Sequence, residues 1–411
     1  MRRINELEIN GFTDLRKSLK PKFRNYGKRP TNCLIKPQPQ KKPKMTHIRH
    51  QLHRMAELSG NEKHTHDFIA EHLRELCPTH LHTNVGGYGV VAAWLTTHTA
   101  PTIALRADID ALPIKETLDK DYISATDGVS HKCGHDGHTA ILLRTAELIH
   151  SLKPHCNTIL IFQPEEETGQ GARKILDSKI LKQYNIDKIF GFHNLPHYDT
   201  GCVVIKHNTF AAASIGMTIT LQGRPTHAAH PEKGINPTMA VAQIIMMINQ
   251  ECANLSDNPQ AVQATPIHTR IGNIAFGTSA GEAQVMYTLR AWNNCNMTAT
   301  LLHLENEISK ICLQHNLTHH IEYCEAFAAV DNSAAEVETI HRAAQKLGMP
   351  IQWIDTPFRW SEDFAEYLKH YKGAYFGIGA GTDSLELHHP QYNFNDEIIE
   401  PTARLLVECL S

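Results

Sequence analysis

The stretch NTILIFQPEEETGQG, residues 157–171, is a short apolar run that ends in three consecutive acids and a Gly-rich turn. Its apolar part is bounded by turn residues, as expected of a buried strand. Three further segments share the design: GVVAAWL (89–95), TIALRADID (102–110) and IDKIFGFHNLP (186–196). Between them lie helical patterns, above all TAILLRTAELIHSL (139–152), and TIALRADID and IDKIFGFHNLP likewise carry polar residues at their carboxyl ends. Strands alternating with helices predict an α/β sheet with helices on its faces. Ligands of such sheets collect beyond the carboxyl ends of the strands. Neighbouring residues leaving a strand point to opposite sides, so the acids at 165–167 can hold different roles.

Upstream, THIRHQLHRMAELSG places Ile48, Leu52, Met55 and Leu58 near helical spacing, and EKHTHDFIAEHLRELC does so with Phe68, Ile69, Leu73 and Leu76. The middle of the chain reads differently. SIGMTITLQG and EAQVMYTLRAW alternate as half-buried strands, and HHIEYCEAF suggests another. They are interleaved with the helices NPTMAVAQIIMMINQ, capped by Asn236 with Pro237 at its first position, and MTATLLHLENEISKICLQH. Two β-α-β passages of this length make a compact α+β sandwich. The expected organisation is a tail over 1–44, a first α/β part over 45–211, an inserted domain over 212–324, and a return to the α/β part over 325–411.

At 411 residues the chain exceeds one ordinary hydrophobic core. Its ten cysteines have no short repeating spacing, which argues against a disulfide framework and for free thiols in a cytoplasmic protein. No apolar run approaches a membrane span, and the N-terminus lacks the apolar centre of a secretory signal. Residues 1–44 hold 13 Lys or Arg against 3 acids, whereas the remainder holds 27 basic and 40 acidic residues. Such an arm could touch nucleic acid or anionic lipid. Its Pro, Lys and Gln content without apolar period predicts instead a disordered, solvated tail, with Met45 opening the first periodic segment. The expectation is a soluble protein with no membrane and no nucleic-acid partner.

Polar clusters fall at the strand ends: RADIDALP, HKCGHDGH, QPEEETGQG and GFHNLP, with ELHHPQYNFND near the C-terminus. Together they supply one thiol (Cys133), several imidazoles and paired carboxylates. Zinc and related divalent ions take such mixed ligands, and a catalytic site keeps a position open for water. Two ions about 3.5–4 Å apart lower the pKa of a water and polarise a carbonyl. Nothing pairs Cys133 with a neighbouring cysteine, which removes a structural zinc ribbon.

From about Met45 to Ser411 the chain resembles the amidohydrolase branch of the M20 metallopeptidase family. The motifs that carry the resemblance are RHQLHRMAEL, LRADIDALPI, HKCGHDGHTA, FQPEEETGQGA, GFHNLP, GRPTHAAHP, SEDFA and LHHPQYNFND. The resemblance implies an α/β, metal-dependent exopeptidase-like catalytic domain with an inserted α+β (ferredoxin-like) lid domain. It implies Cys133, His135, Glu167, His193 and His388 as ligands of two divalent ions (Mn²⁺, Zn²⁺, Co²⁺ or Ni²⁺), with His389 as the alternative to His388. Aligned through FQP, it makes Glu166 the general base. Asp110 matches an aspartate that orients metal-bound groups. His227, in GRPTHAAHP, matches a lid histidine that reaches the substrate carbonyl as an oxyanion donor. Arg290, in YTLRAW, matches a strand arginine suited to a substrate carboxylate. One departure stands out: the Asn-Val-Ile-Pro segment of many relatives is AFGTSAGEAQVMY here, without the asparagine.

The activity implied is hydrolysis of the amide bond of an N-acyl amino acid. The alternatives are a dipeptidase or carboxypeptidase of the same fold, and a metal-binding protein that has lost catalysis. Met239, Met246 and Met247 lie beyond the core face of their helix, which suggests a homodimer through the lid, with His227 serving the partner's site.

Overall fold

The computed structural model describes residues 44–97 and 99–411. The expected tail, apart from Lys44, lies outside the described residues. An eight-stranded sheet forms the larger part. Its spatial order is His80–Val85, Gly89–Trp94, Asn157–Gln163, Thr102–Asp108, Lys188–Pro196, Lys372–Gly381, Val203–Ile205 and Ile351–Trp353. The four central strands, 157–163, 102–108, 188–196 and 372–381, run parallel. Antiparallel strands flank them.

The uninterrupted apolar run at 159–162 is explained by burial on both faces. Leu160 and Phe162 enter the core that also holds Leu142, Phe190 and Phe192. Ile159 and Ile161 enter the opposite core with Ile175, Phe364 and Tyr375. Each such side chain contributes about 1.5–3 kcal/mol by leaving water. The helix His135–Leu152 packs on the first face, with Ile141, Leu142 and Leu143 buried. The terminal helix Ile399–Glu408 lies against it, inside the same core. Because the central strands share one direction, their carboxyl ends form a single edge. The His135–Leu152 helix starts beside that edge.

Residues 213–327 build a separate four-stranded antiparallel sheet in the order Val262–Ile271, Glu282–Ala291, Ala213–Gln222, Thr318–Phe327. With the helices Thr238–Glu251 and Asn294–Gln314 this is a β-α-β-β-α-β passage, the ferredoxin-like order. It has its own hydrophobic core, in which Ile219, Leu221, Val285 and Leu289 meet Ile244, Ile248, Leu304 and Ile308. The helix cap differs by one residue from expectation. Helical structure starts at Thr238 rather than Pro237, with the Asn236 side-chain carbonyl accepting from the Thr238 N–H at 2.8 Å. Met239 and Met246 are exposed, whereas Met247 packs against the small core and leaves the expected outer face. Among the described residues no helix is long and apolar enough to cross a membrane. The nine described cysteines are all free.

Candidate functional site

Four sequence motifs converge where the central strands end. Gly134 makes the turn into the His135–Leu152 helix with φ +96°, a backbone that L side chains rarely adopt. A Cβ there would stand 2.5 Å from the Asn194 side-chain oxygen. This tight turn sets Cys133 and His135 on either side of the glycine, both buried. His193 lies near the end of the adjacent strand, and its Nε2 is 3.4 Å from Cys133 Sγ. Cys133, His135 and His193 present ligating atoms within 4.8 Å of one another, as do Cys133, Glu167 and His388, and likewise His135, Glu166 and Glu167.

The three acids separate as they leave the strand. Glu165 adopts φ +55° and points its carboxylate at Lys174 Nζ, 2.6 and 2.7 Å away. It takes no part in the cluster. Glu166 turns into the cleft toward Glu362, and Glu167 toward His135 and His388, with its Oε1 3.8 Å from the Nε2 of each. His388 adopts φ +66° and its N–H donates to the Lys132 carbonyl at 2.8 Å, which holds the ring over the cleft. His389 turns away and its Nδ1 accepts from the Gln391 N–H at 3.1 Å.

The hydrogen-bond pattern decides which imidazole nitrogens are free. His193 Nδ1 donates to the Asn194 carbonyl at 2.8 Å, which leaves the Nε2 lone pair facing the cleft. His135 Nδ1 lies 3.2 Å from Asp110 Oδ1, and among the described residues its buried Nε2 makes no hydrogen bond. Among the described residues Glu167 Oε1 is likewise buried without a hydrogen bond. Two buried polar atoms without a hydrogen bond 3.8 Å apart, beside the Cys133 thiol and the His193 imidazole, are a ligand set that suits a divalent cation.

The electrostatics agree. Burial disfavours a charged His135, yet Asp108, Asp110 and Glu167 reverse this and raise it to about 10. Burial, with Glu167 and Glu166 nearby, pushes the Cys133 thiol well above its ordinary value. Burial, opposed by His135 and supported by Asp110, brings Glu167 up to about 7. Burial and then Glu362, Glu167 and Asp363 push Glu166 well up, against Arg106. The pocket therefore favours positive charge, and a thiolate there needs a cation beside it.

Beneath the cluster lies a layer of buried polar groups that the motifs leave without an assigned role. Arg106, fully buried, donates to Asp108 (2.7 Å), Glu362 (2.9 Å), Asp363 (2.8 Å) and Gln163 (2.9 Å). Tyr375 OH holds the other oxygen of Glu362. His138 bridges Asp108 and Asn194. The signals were present in RADID, where Asp108 and Asp110 share one strand face, and in SEDFA. The pairing across 256 residues was not.

Two predicted site residues stand apart from the cluster. Arg290 is half-buried and donates through Nη1 to the Arg359 carbonyl at 2.7 Å and to Ser361 Oγ at 3.2 Å. Among the described residues it has no carboxylate partner, so its other donors are unspent. His227 is exposed on a two-residue strand paired with Thr278–Ser279, and its Nδ1 accepts from the Ala229 N–H at 3.1 Å. Among the described residues none of its contacts reaches the cluster.

These features define an α/β protein with a carboxylate-, imidazole- and thiol-lined cleft, suited to a divalent cation, at the carboxyl edge of its sheet. Residues 104–411 match the profile of peptidase family M20/M25/M40, and the chain belongs to that family. It is 31% identical to the N-acetyl-L-cysteine deacetylase of Bacillus subtilis (strain 168), over 88% of this chain and 86% of that one. It is 30% identical to the hippurate hydrolase of Campylobacter jejuni, over 87% and 93%. The crystal structure of the Bacillus subtilis YXEP protein, a dinuclear metal-binding peptidase of the M20 family, superposes with a TM-score of 0.78 at 26% identity, covering 89% of this chain and 96% of that one. The α/β fold and the hydrolase class read from the motifs are those of this family.

Proposed function

We propose that this protein hydrolyses the amide bond of N-acyl amino acids with two divalent cations held by Cys133, His135, Glu167, His193 and His388. The observation that carries the reading is the convergence of these side chains on one cleft, where among the described residues His135 Nε2 and Glu167 Oε1 are buried without a hydrogen bond. The family relatives named for N-acetylcysteine and hippurate support the substrate class. When bound, such ions lower the pKa of water and polarise the substrate carbonyl.

The chain's own residues do the rest. Glu166 accepts a proton from the attacking water as the new C–O bond forms, then delivers it to the leaving amine as the C–N bond breaks. A base crowded by Glu362, Glu167 and Asp363 keeps that proton long enough to hand it on. Asp110 fixes the orientation of His135. Arg290, with unspent donors beside Ser361, receives the substrate carboxylate. His227 donates to the carbonyl oxygen as negative charge develops there.

The four-stranded unit acts as a lid in this reading. Since His227 makes no contact with the cluster of its own chain, it serves a second copy in a homodimer, and exposed Met239 and Met246 mark apolar surface for that contact. Free cysteines fit a cytoplasmic setting.

The test is chelation followed by reloading with Mn²⁺, Zn²⁺, Co²⁺ or Ni²⁺, and assay on N-acetyl amino acids, N-benzoyl amino acids and dipeptides. Hydrolysis of the blocked amino acids is expected. Cleavage of free dipeptides alone would make the protein a dipeptidase. Full metal loading without any turnover would make it a silent metal binder.

A further inference from the structure

Beside the cluster, the cleft has an aromatic wall that this chemistry does not use. Phe358 and Trp360 stack with ring centroids 5.1 Å apart and planes 24° apart. Tyr198 meets Phe358 edge-on at 6.2 Å. Trp360 also lies 5.6 Å from the His193 ring, so the wall begins where the cluster ends. With Leu195 and Leu387 these rings line a cavity of about 490 Å³ that also contains Cys133, Glu166, Glu167 and His388.

The wall is held rigidly from behind. The Ala212 N–H donates to the carbonyls of both Phe358 (3.0 Å) and Trp360 (3.1 Å), and the Phe358 N–H donates to the Phe210 carbonyl at 2.8 Å. Phe210, fully buried, backs both rings at 5.2 and 6.0 Å. Phe358 and Trp360 themselves are only half-buried, so apolar ring surface remains toward the cavity. A preformed, mostly apolar pocket with a few polar groups at one end is the usual form of a small-molecule subsite. Rings held in place lose little freedom when a ligand stacks on them.

We propose that Phe358 and Trp360 form a specificity pocket for a flat aromatic group carried close to the scissile amide. The inference rests on the amide-hydrolase reading and deepens it. Contact between Trp360 and His193 limits the ring to a position a few bonds from the reacting carbonyl. An acetyl group is too small to cover the wall and leaves its apolar surface in water. The ring can be the acyl group or the amino-acid side chain, and the substrates separate the two.

The test compares kcat/KM of the metal-loaded full chain for N-benzoylglycine, N-acetylphenylalanine and N-acetylglycine. One ring-bearing substrate is expected to exceed N-acetylglycine by on the order of 100-fold, and which one identifies the side of the amide that enters the pocket. Trp360→Ala is expected to lower that ratio about tenfold or more, and Trp360→Phe to keep most of it. Binding of the three compounds to metal-loaded Glu166→Gln, measured by calorimetry, gives a readout without turnover. If N-acetylglycine is cleaved as well as both ring compounds, or if Trp360→Ala with unchanged circular dichroism keeps the wild-type ratio, the pocket proposal is overturned while the hydrolase reading stands. If ring compounds bind selectively but wild type cleaves no amide, the hydrolase reading fails and the pocket stands.

Discussion

Asp110 grips His135 with one carboxylate oxygen, 3.2 Å from Nδ1, and accepts the backbone N–H of Glu167 with the other at 3.0 Å. One side chain thus sets the direction of one proposed ligand and the backbone of a second. Ser59 Oγ, at 2.7 Å, fixes the carboxylate itself. Asp110→Asn keeps the shape but presents an amide that weakens the hold on the Nδ1–H, releasing the preference for a free Nε2. Metal affinity is expected to fall about 10–100-fold with the fold intact. Competition with a fluorescent chelator measures it. Wild-type affinity in the variant would mean that His135 is oriented without Asp110.

The divergence of Glu166 and Glu167 predicts two different lesions. Glu166→Gln should retain its metal and lose most of kcat, because an amide cannot accept the proton of the attacking water. Glu167→Gln should lose metal first. Metal content by elemental analysis, set beside kcat at saturating metal, separates them. The reverse pattern would shift the assignment by one residue. Glu165→Gln, which breaks only the contact with Lys174, should leave both quantities near wild type.

Gly134 serves conformation. Alanine there meets both a φ of +96° and the Asn194 side-chain oxygen. Strain of this kind costs about 1–3 kcal/mol, and the displaced Asn194 also bonds His138 and Tyr392. Gly134→Ala is therefore expected to lower the melting temperature of the metal-free protein and to weaken metal binding. An unchanged melting temperature would show that the turn relaxes freely.

The α/β sheet and the convergence of ligand-type residues were legible because both leave strong local marks. Buried parallel strands are continuous apolar runs, and metal ligands draw on few residue types. The strand Val262–Ile271 left no such mark. It is an edge strand, mostly exposed, so its apolar residues do not alternate with burial. Val203–Ile205 and Ile351–Trp353 have three residues each, too few for a period to register. The Arg106 bonds to Glu362 and Asp363, and the stacking of Phe358 on Trp360 beside His193, depend on chain packing that no local pattern encodes. His388 reaches the cluster from a loop where it adopts φ +66° and donates its N–H to the Lys132 carbonyl, a local geometry that spacing alone does not distinguish from that of His389.

Behind the cluster, Glu116 accepts from Lys132 Nζ at 2.7 Å and pairs with His53 Nε2 at 3.0 Å. Burial alone would raise its carboxyl, but the bonds from His53, Lys132 and the Ser124 amide outweigh this and bring it to about 2 from 4.5. A carboxyl depressed on folding stabilises the native state above its unfolded value, and that contribution is lost as pH falls from 4.5 through 2. Glu116→Gln should cost about 2 kcal/mol at pH 7 and reduce the stability difference between pH 7 and pH 3. Urea unfolding of both proteins in chelator, so that metal release does not contribute, gives the comparison. Equal pH slopes would remove Glu116 from the acid limb.

His227, like Arg290, stands apart from the cluster among the described residues, and its exposed strand pairs only with the Thr278–Ser279 strand in a two-stranded sheet. In the same unit Met239 and Met246 each keep 61% of their surface exposed. If a second copy covers that surface and receives His227, Glu166→Gln and His227→Ala are each inactive as homodimers, yet complement when mixed. In a mixed dimer the His227→Ala subunit keeps Glu166 and borrows His227 from its partner, while the other site lacks both. Random exchange of equal amounts makes about half the dimers mixed, so about a quarter of all sites should recover activity. Subunit exchange is followed independently by mass spectrometry of differently labelled chains. Recovery near that fraction places His227 in the partner's site, whereas no recovery despite complete exchange places it in its own site or outside the reaction.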